Sequence, residues 1–219
     1  MLQIPSLFAT FDALHQRHGD SSFSAIYGAG KTQNPRIMLV FMNPTARNIS
    51  ANTLWNGIRA PWLGTKHVWK MLFTLGLLSD NDLLNKTQIF RPDQWTSSFA
   101  EALYDHISQQ SLYITNIAKC TQVDARPLPN TVFKEYLPAM FEEIEHVNPE
   151  VIVCFGNQVS SLLLGKNISV SQYTEISGES LQIGAKSYRV YPTYYPVGQG
   201  MRNMPKAIER IKHIINATM

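Results

Sequence analysis

Four short runs of apolar and β-branched residues recur along this chain, and a polar or proline-containing turn follows each of them. The runs are Arg36–Met42, Leu112–Ile117, Glu150–Phe155 and Tyr188–Tyr191. Short runs that are apolar throughout are typical of strands buried on both faces, as in a parallel sheet. Segments with helical spacing lie between or after them, at Lys66–Leu77, Phe99–Ser108, Thr131–Val147, Asn157–Leu164 and Asn203–Asn216. The alternation predicts a three-layer α/β/α sandwich with a central, mainly parallel four-stranded sheet.

The third helical segment carries two local signals. Thr131 is predicted to be its N-cap, because a side-chain oxygen at that position accepts from a free amide of the first turn. Pro138 is predicted to kink this helix or to end its first turn, because proline lacks the amide hydrogen that a helix interior needs.

The chain has no internal repeat and no linker rich in Pro, Gly or Ser, so we expect one domain over residues 1–219. Its longest apolar run, Ile37–Met42, is far short of the roughly 20 residues that span a bilayer, so we expect no membrane association. The N-terminus has no basic leader and contains Asp12, which argues against a signal peptide. Cys120 and Cys154 lie in apolar stretches, and we expect reduced thiols in a cytoplasmic protein.

Two sequence features resemble functional motifs but favour structural interpretations, and a third motif is missing. Gly28–Thr32 is similar to the end of a phosphate-binding loop, but a strand follows it where such a loop needs a helix. His15 and His18 would face one metal ion on a helix, but no third ligand accompanies them. The chain has no Gly-x-Ser-x-Gly motif, and no histidine lies near either cysteine in sequence, so covalent catalysis has no support.

The carboxyl ends of the predicted strands carry the most distinctive motifs, and parallel strands bring these ends to one edge of a sheet. The motifs are Val40-Phe-Met-Asn-Pro44, Arg59-Ala-Pro-Trp-Leu-Gly64, Ile114-Thr-Asn-Ile-Ala-Lys-Cys120 and Tyr191-Pro-Thr-Tyr-Tyr-Pro196, followed by Arg202-Asn203. In this order the chain resembles the uracil-DNA glycosylase superfamily from about Tyr27 to Pro205. The third motif is similar to the TNxxKC segment of the iron–sulfur (family 4) branch, as are the stretches Arg126–Pro129 and Asn148–Gly156. The first motif is instead similar to that of the mismatch-specific and single-strand-selective branches.

The resemblance implies a role for each matching residue. Asn43 would hold the attacking water, and Tyr195 occupies the place of a histidine that donates to uracil O2 as the base leaves. Main-chain amides near Met42 would touch the uracil oxygens, Trp62 would stack on the base, and Asn116 would read its edge. The residues implied to contact DNA are Pro196, Gln199, Arg202 and Asn203. At Asn203, the N-terminus of the last helix would meet a phosphate.

The chain departs from the iron–sulfur branch at the positions of the cluster. Cys120 is the one cysteine that matches, whereas His15, His18 and Glu135 fall near the places of others. We therefore expect no cluster, no metal and no cofactor. The segment Val197–Met201 is one residue longer than its counterpart, and its two glycines argue against a rigid wedge.

These features predict a glycosylase that hydrolyses the N-glycosidic bond of uracil, or of a related deaminated or mismatched base, in base excision repair of DNA. Two alternatives stay open: an inactive member that binds nucleic acid or a nucleobase-type ligand, and an α/β enzyme acting on a free nucleoside or nucleotide. We expect a monomer that binds DNA weakly and in a salt-dependent way, since the net charge is only +3. Charged residues in loops favour a polyanion, and they are Arg47, Arg59, Lys66, Lys119, Arg202 and Lys206.

Overall fold

A six-stranded sheet forms the centre of the protein, whose computed structural model describes residues 1–174 and 177–217. Its strands are β1 (Ala29–Gly30), β2 (Ile37–Phe41), β3 (Leu112–Asn116), β4 (Val151–Phe155), β5 (Glu179–Ile183) and β6 (Lys186–Thr193). Their spatial order is β1-β3-β2-β4-β6-β5, and the inner four are parallel. These four are the strands that the apolar runs predicted, and the prediction of a mainly parallel sheet is confirmed. The sheet is larger than predicted because an antiparallel strand covers each edge.

Helices cover both faces of the sheet, as the alternation predicted. They are α1 (Phe8–His18), α2 (His67–Thr74), α3 (Asn81–Ile89), α4 (Ser97–Gln109), α5 (Asn130–Val147), α6 (Asn157–Leu164) and α7 (Met204–Ala217). The apolar faces of α1, α5 and α6 pack into one core layer, and those of α2, α4 and α7 pack into the other. Within the described residues, no helix combines the length and the apolar character that a membrane span requires.

The glycine-rich segment Gly28–Thr32 is part of a sheet edge. Ala29 and Gly30 form β1, which pairs with β3, and the Lys31 ammonium donates to the Ser111 hydroxyl at 3.1 Å. The lysine is thus held against the start of β3, which agrees with the structural interpretation of this segment.

The strand β5 escaped prediction because it is polar along one face. Leu181 and Ile183 are buried, whereas Ser180 and Gln182, which alternate with them, are exposed. This alternation is typical of an edge strand with one solvated face.

Pro138 was predicted to kink α5 or to end its first turn. The second alternative is wrong, because α5 continues through this residue to Val147. Pro138 is exposed, so the carbonyl group that loses its helical donor can meet solvent instead. The predicted N-cap is also wrong, because α5 begins at Asn130 and Pro129 precedes it.

Candidate functional site

A cleft of about 740 Å³ lies at the carboxyl ends of the parallel strands. Ligand sites in proteins occupy roughly 300–1,000 Å³, so this volume accommodates a nucleobase with its sugar. Five residues singled out by sequence line it together: Met42, Asn43, Trp62, Asn116 and Tyr195. Their convergence follows from the register, since the last residue of β2, Phe41, lies beside Asn116 of β3.

Aromatic rings pack behind the residues that line the cleft. The rings of Phe41 and Phe155, at the ends of β2 and β4, are stacked with centroids 4.2 Å apart. Trp62 meets Phe41 edge to face at 4.8 Å, and Tyr195 does so at 6.2 Å. Edge-to-face pairs of this kind are favourable beyond simple burial, so Phe41 holds both cleft aromatics in place.

The loop before α2 fixes Trp62 in an unusual backbone conformation. Its φ of +66° lies in the left-handed region, which a large side chain seldom adopts. Its carbonyl group accepts from the Thr65 hydroxyl at 2.7 Å and from the Trp69 indole at 3.1 Å. The Trp62 indole N–H has no hydrogen-bond partner among the described residues. Backbone strain of this kind persists where surrounding contacts over-determine it, and it concentrates at functional sites.

Asn43 lies two residues after β2 and lines the cleft from the loop that carries Pro44. Its side-chain amide donates to the Pro44 carbonyl at 3.1 Å, which leaves the side-chain oxygen unpaired as an acceptor within the described residues. The main-chain N–H groups of Met42 and Asn43 donate no hydrogen bond within the described residues. This strand end therefore presents both donors and an acceptor to a ligand.

Asn116 ends β3 and is 3% exposed, yet its side chain makes no hydrogen bond to the rest of the described chain. A buried amide without partners is costly unless a ligand or water pairs with it. This amide can donate and accept at once, as recognition of a planar base edge requires.

Tyr195 also lines the cleft. Burial raises the pKa of its hydroxyl well above the ordinary value, so the group remains a hydrogen-bond donor. The following turn packs tightly on it: a Cβ at Gly200 would lie 2.1 Å from the Tyr195 carbonyl oxygen. Residues Gly198–Asn203 form a 3-10 helix, so the glycine at position 200 permits close packing. That the two glycines argue against a rigid wedge stays a prediction.

The predicted DNA contacts lie outside the cleft lining. Pro196 is buried, whereas Arg202 is exposed on the 3-10 helix and has no ion-pair partner in the described part of the chain. The side chain of Gln199 lies outside the described structure. Asn203 immediately precedes α7, as predicted, and the Met204 amide donates to the Met201 carbonyl of the 3-10 helix, so this terminal amide is already paired. A phosphate contact at this helix N-terminus stays a prediction.

One wall of the cleft is cationic. Arg47, Lys66 and His67 line it, and no Asp or Glu is among the described residues around the cleft. A Cβ at Gly64 would lie 2.4 Å from Ile49, so the loop carrying Arg47 packs directly on the loop that precedes α2. Arg47 and Lys66 were predicted to favour a polyanion. His67 was missed, because a lone histidine at the start of a helix carries no sequence signal.

Lys119 is the exception among the predicted surface cations. Its ammonium is fully buried and lies 2.6 Å from the carboxylate of Glu143 on α5. The expectation that Lys119 attracts a polyanion is therefore wrong, because a buried, paired charge contributes little to the surface field.

The residues near the cluster positions of the iron–sulfur branch do not fit such a cluster. Cys120 is buried, and burial raises the pKa of its thiol. The imidazole of His18 and the guanidinium of Arg17 pair with Glu135 at 2.9 and 3.0 Å, and His15 Nε2 lies 2.8 Å from the Phe23 carbonyl. No group of three potential metal ligands occurs among the described residues. A single thiol with side chains already committed to each other cannot replace four thiolates.

The fold and the cleft define an α/β protein with a polar cleft at the carboxyl ends of its parallel strands, lined by the aromatic side chains of Trp62 and Tyr195. The model of the Uracil DNA glycosylase superfamily matches residues 27–217, and the chain belongs to this family. Over 93 residues the chain is also 26% identical to the Type-4 uracil-DNA glycosylase of Saccharolobus solfataricus. That match covers 41% of this chain and 43% of the relative.

Proposed function

We propose that this protein is a DNA glycosylase that removes uracil, or a related deaminated or mismatched base, by hydrolysis of the N-glycosidic bond. The observation that carries the proposal is the convergence of Asn43, Trp62, Asn116 and Tyr195 around one cleft, with donors and acceptors that the protein leaves unpaired. The family supports a hydrolase of this class.

Recognition of the base is assigned to Asn116 and Trp62. The target nucleotide must leave the DNA stack to reach a cleft of this depth. The Asn116 amide would accept from uracil N3–H and donate to O4, whereas cytosine presents the opposite pattern at these positions. The ring of Trp62 supplies a stacking surface worth about 1–3 kcal/mol per base.

Hydrolysis is assigned to a water held by the Asn43 side-chain oxygen. The water oxygen bonds to the sugar C1′, the C1′–N1 bond breaks, and the base leaves with the electron pair of that bond. No carboxylate among the described residues of the cleft can deprotonate the water, so we expect bond breaking to run ahead of water attack. The water loses its proton after it has bonded to the sugar, and the proton passes to the departed base anion or to solvent.

Stabilisation of the leaving base is assigned to the Tyr195 hydroxyl and to the main-chain amides of Met42 and Asn43. All three residues line the cleft, and the two amides make no hydrogen bond within the described residues. Fixed donors aimed at developing negative charge lower a barrier by up to a few kcal/mol each. The raised pKa of Tyr195 keeps its proton in place for this role.

The path of the DNA backbone is assigned to the cationic wall of Arg47, Lys66 and His67. These side chains make no ion pair within the described residues, so the charges of Arg47 and Lys66 and the imidazole of His67 are available to phosphates. Each phosphate that the protein neutralises releases counterions, which makes binding salt-dependent. With about three such contacts, we expect a log–log slope near −3 on duplex DNA.

The test is a single-turnover assay on fluorescent oligonucleotides, followed by alkaline cleavage of abasic sites. The substrates carry U opposite G, U opposite A, single-stranded U, hypoxanthine or T. We expect cleavage of at least one uracil substrate, and loss of about 100-fold or more in Asn43→Ala, which removes the water ligand.

Asn85→Ala is the matched control, because Asn85 is exposed on α3 and lies outside the cleft. It also guards against a contaminating glycosylase, whose activity would be the same in both variants. Absence of cleavage on every substrate would reject the enzyme and favour an inactive member that binds nucleic acid or a nucleobase in the same cleft.

A further inference from the structure

A closed polar network lies beneath the end of β3, on the side away from the cleft. It joins Lys119 to Thr115, Tyr113 and Glu143, and every member is buried or nearly so. The Lys119 ammonium donates to the Glu143 carboxylate at 2.6 Å and to the Thr115 hydroxyl at 2.7 Å. It also donates to the main-chain carbonyl of Asn116.

The carboxylate of Glu143 closes the network from helix α5. Its second oxygen accepts from the Tyr113 hydroxyl at 2.9 Å and from the Thr115 hydroxyl at 3.0 Å. Gly28 leaves room for this arrangement, since a Cβ there would lie 2.3 Å from the Tyr113 hydroxyl and 2.4 Å from Glu143. The glycine that resembles part of a phosphate-binding loop thus accommodates a buried charge pair.

The network acts on the backbone that carries Asn116. Beyond β3, the amides of Ile117 and Ala118 donate to the carbonyls of Phe41 and Met42 at 2.9 and 3.1 Å. The Lys119 ammonium donates to the carbonyl of Asn116, the residue before Ile117. The end of β2 and the Lys119 side chain therefore both fix this turn. Through these hydrogen bonds the turn joins the end of β3 to the end of β2. Asn116 at the first end and Met42 and Asn43 at the second line the cleft.

We propose that Lys119 and Glu143 are positioning residues, which fix the end of β3 so that the Asn116 amide faces the cleft in one orientation. Their effect on base selection rests on the proposed function, whereas their effect on the backbone does not. A buried ion pair is a poor source of net stability, because desolvation of both charges offsets their attraction. Burial accordingly lowers the pKa of Lys119, although Glu143 opposes that shift. Such a pair is better explained by the fixed geometry that it imposes on its hydrogen-bond partners.

The test compares the double variant Lys119→Met/Glu143→Gln with Val147→Ala. The double variant removes both charges at similar volume, and the glutamine still accepts from Tyr113 and Thr115. Val147 is fully buried at the far end of α5, so its truncation controls for a general loss of stability. By hydrogen exchange we expect the amides of Ile117 and Ala118 to exchange at least about tenfold faster in the double variant than in the control.

Equal exchange at these two amides in both variants would overturn the proposal, since the network would then contribute stability alone. If the double variant does not fold, Thr115→Val makes a weaker test, because it removes the hydroxyl that helps to hold the Lys119 ammonium and the Glu143 carboxylate in place and retains the charge pair. We then expect the same two amides to exchange faster than in Val147→Ala by a smaller factor, and equal exchange would overturn the proposal.

The second readout is binding of oligonucleotides that carry a non-hydrolysable deoxyuridine or deoxycytidine analogue. The proposal expects the double variant to lose most of the preference for uracil, whereas Val147→Ala retains it. An unchanged preference in the double variant would overturn the proposed link to base selection. If the unmodified protein shows neither a preference nor cleavage, the proposed function fails, and hydrogen exchange still decides the positioning role.

Discussion

Adjacent residues of β3 serve two polar regions that differ in how completely their hydrogen-bonding groups are paired. Thr115 faces the network of Lys119 and Glu143, where each polar side chain has partners. Asn116 faces the cleft, where its amide and the Tyr195 hydroxyl make no hydrogen bond within the described residues. The two side chains point to opposite faces because successive residues alternate along a strand.

The unpaired polar groups of the cleft are available to a ligand, whereas the paired groups of the network fix the backbone. Unpaired polar atoms in a buried cleft carry a free-energy cost that a bound base can repay through its own donors and acceptors. Paired atoms below the strand offer nothing to a ligand, and they limit the motion of the residues above them. Substitutions in the two regions should therefore change different measurements.

The largest expected effect is on stability, in the paired region. Lys119→Met should lower the free energy of unfolding by about 3–5 kcal/mol, because it leaves the Glu143 carboxylate buried without a counter-charge. Lys66→Met, in the cleft, removes the same charge from an exposed side chain and should change stability by less than about 0.5 kcal/mol. Urea unfolding of both variants measures the contrast, and equal losses would contradict the distinction between the two regions.

The next effect is on base selection, in the unpaired region. Asn116→Ala should remove the contacts that separate uracil from cytosine, and we expect the ratio of their cleavage rates to fall by about 100-fold or more. Its melting temperature should change little, because the amide has no protein partner to lose. Retention of the full preference for uracil would show that another group reads the base.

A smaller effect is expected at Tyr195. Tyr195→Phe should lower single-turnover cleavage by about 10- to 100-fold if its hydroxyl donates to the leaving base. Because burial raises the pKa of this hydroxyl, the donor persists as pH rises, and the rate should not fall near pH 10, where an ordinary tyrosine ionises. A wild-type rate in the phenylalanine variant would reduce Tyr195 to a packing residue of the cleft wall.

The smallest effect concerns the cationic wall. Lys66→Gln should weaken DNA binding a few-fold and reduce the log–log salt slope by about 0.9 on duplex DNA, since one phosphate contact is lost. Lys70→Gln is the control, because Lys70 lies one turn further along α2, is exposed and does not line the cleft. Identical slopes in the two variants would place the DNA backbone elsewhere.

The sequence was informative where a single local signal determines the structure. Each apolar run became an inner strand, and the residues at the strand ends then met at one edge because parallel register requires it. The burial of Lys119 had no such signal, because its partner Glu143 lies 24 residues away on another element. The left-handed backbone of Trp62 and the close packing of Gly200 on Tyr195 also depend on tertiary contacts rather than on local propensity.

The position of Trp62 also gives the unlabelled protein an optical reporter of its own cleft. Of the four tryptophans, Trp69 and Trp95 are buried in the core, and the Trp55 indole donates to the Ile58 carbonyl away from the cleft. Trp62 alone among them lines the cleft within the described structure. A base stacked on an indole quenches its fluorescence, so emission from this residue can follow the arrival and departure of a nucleobase in real time.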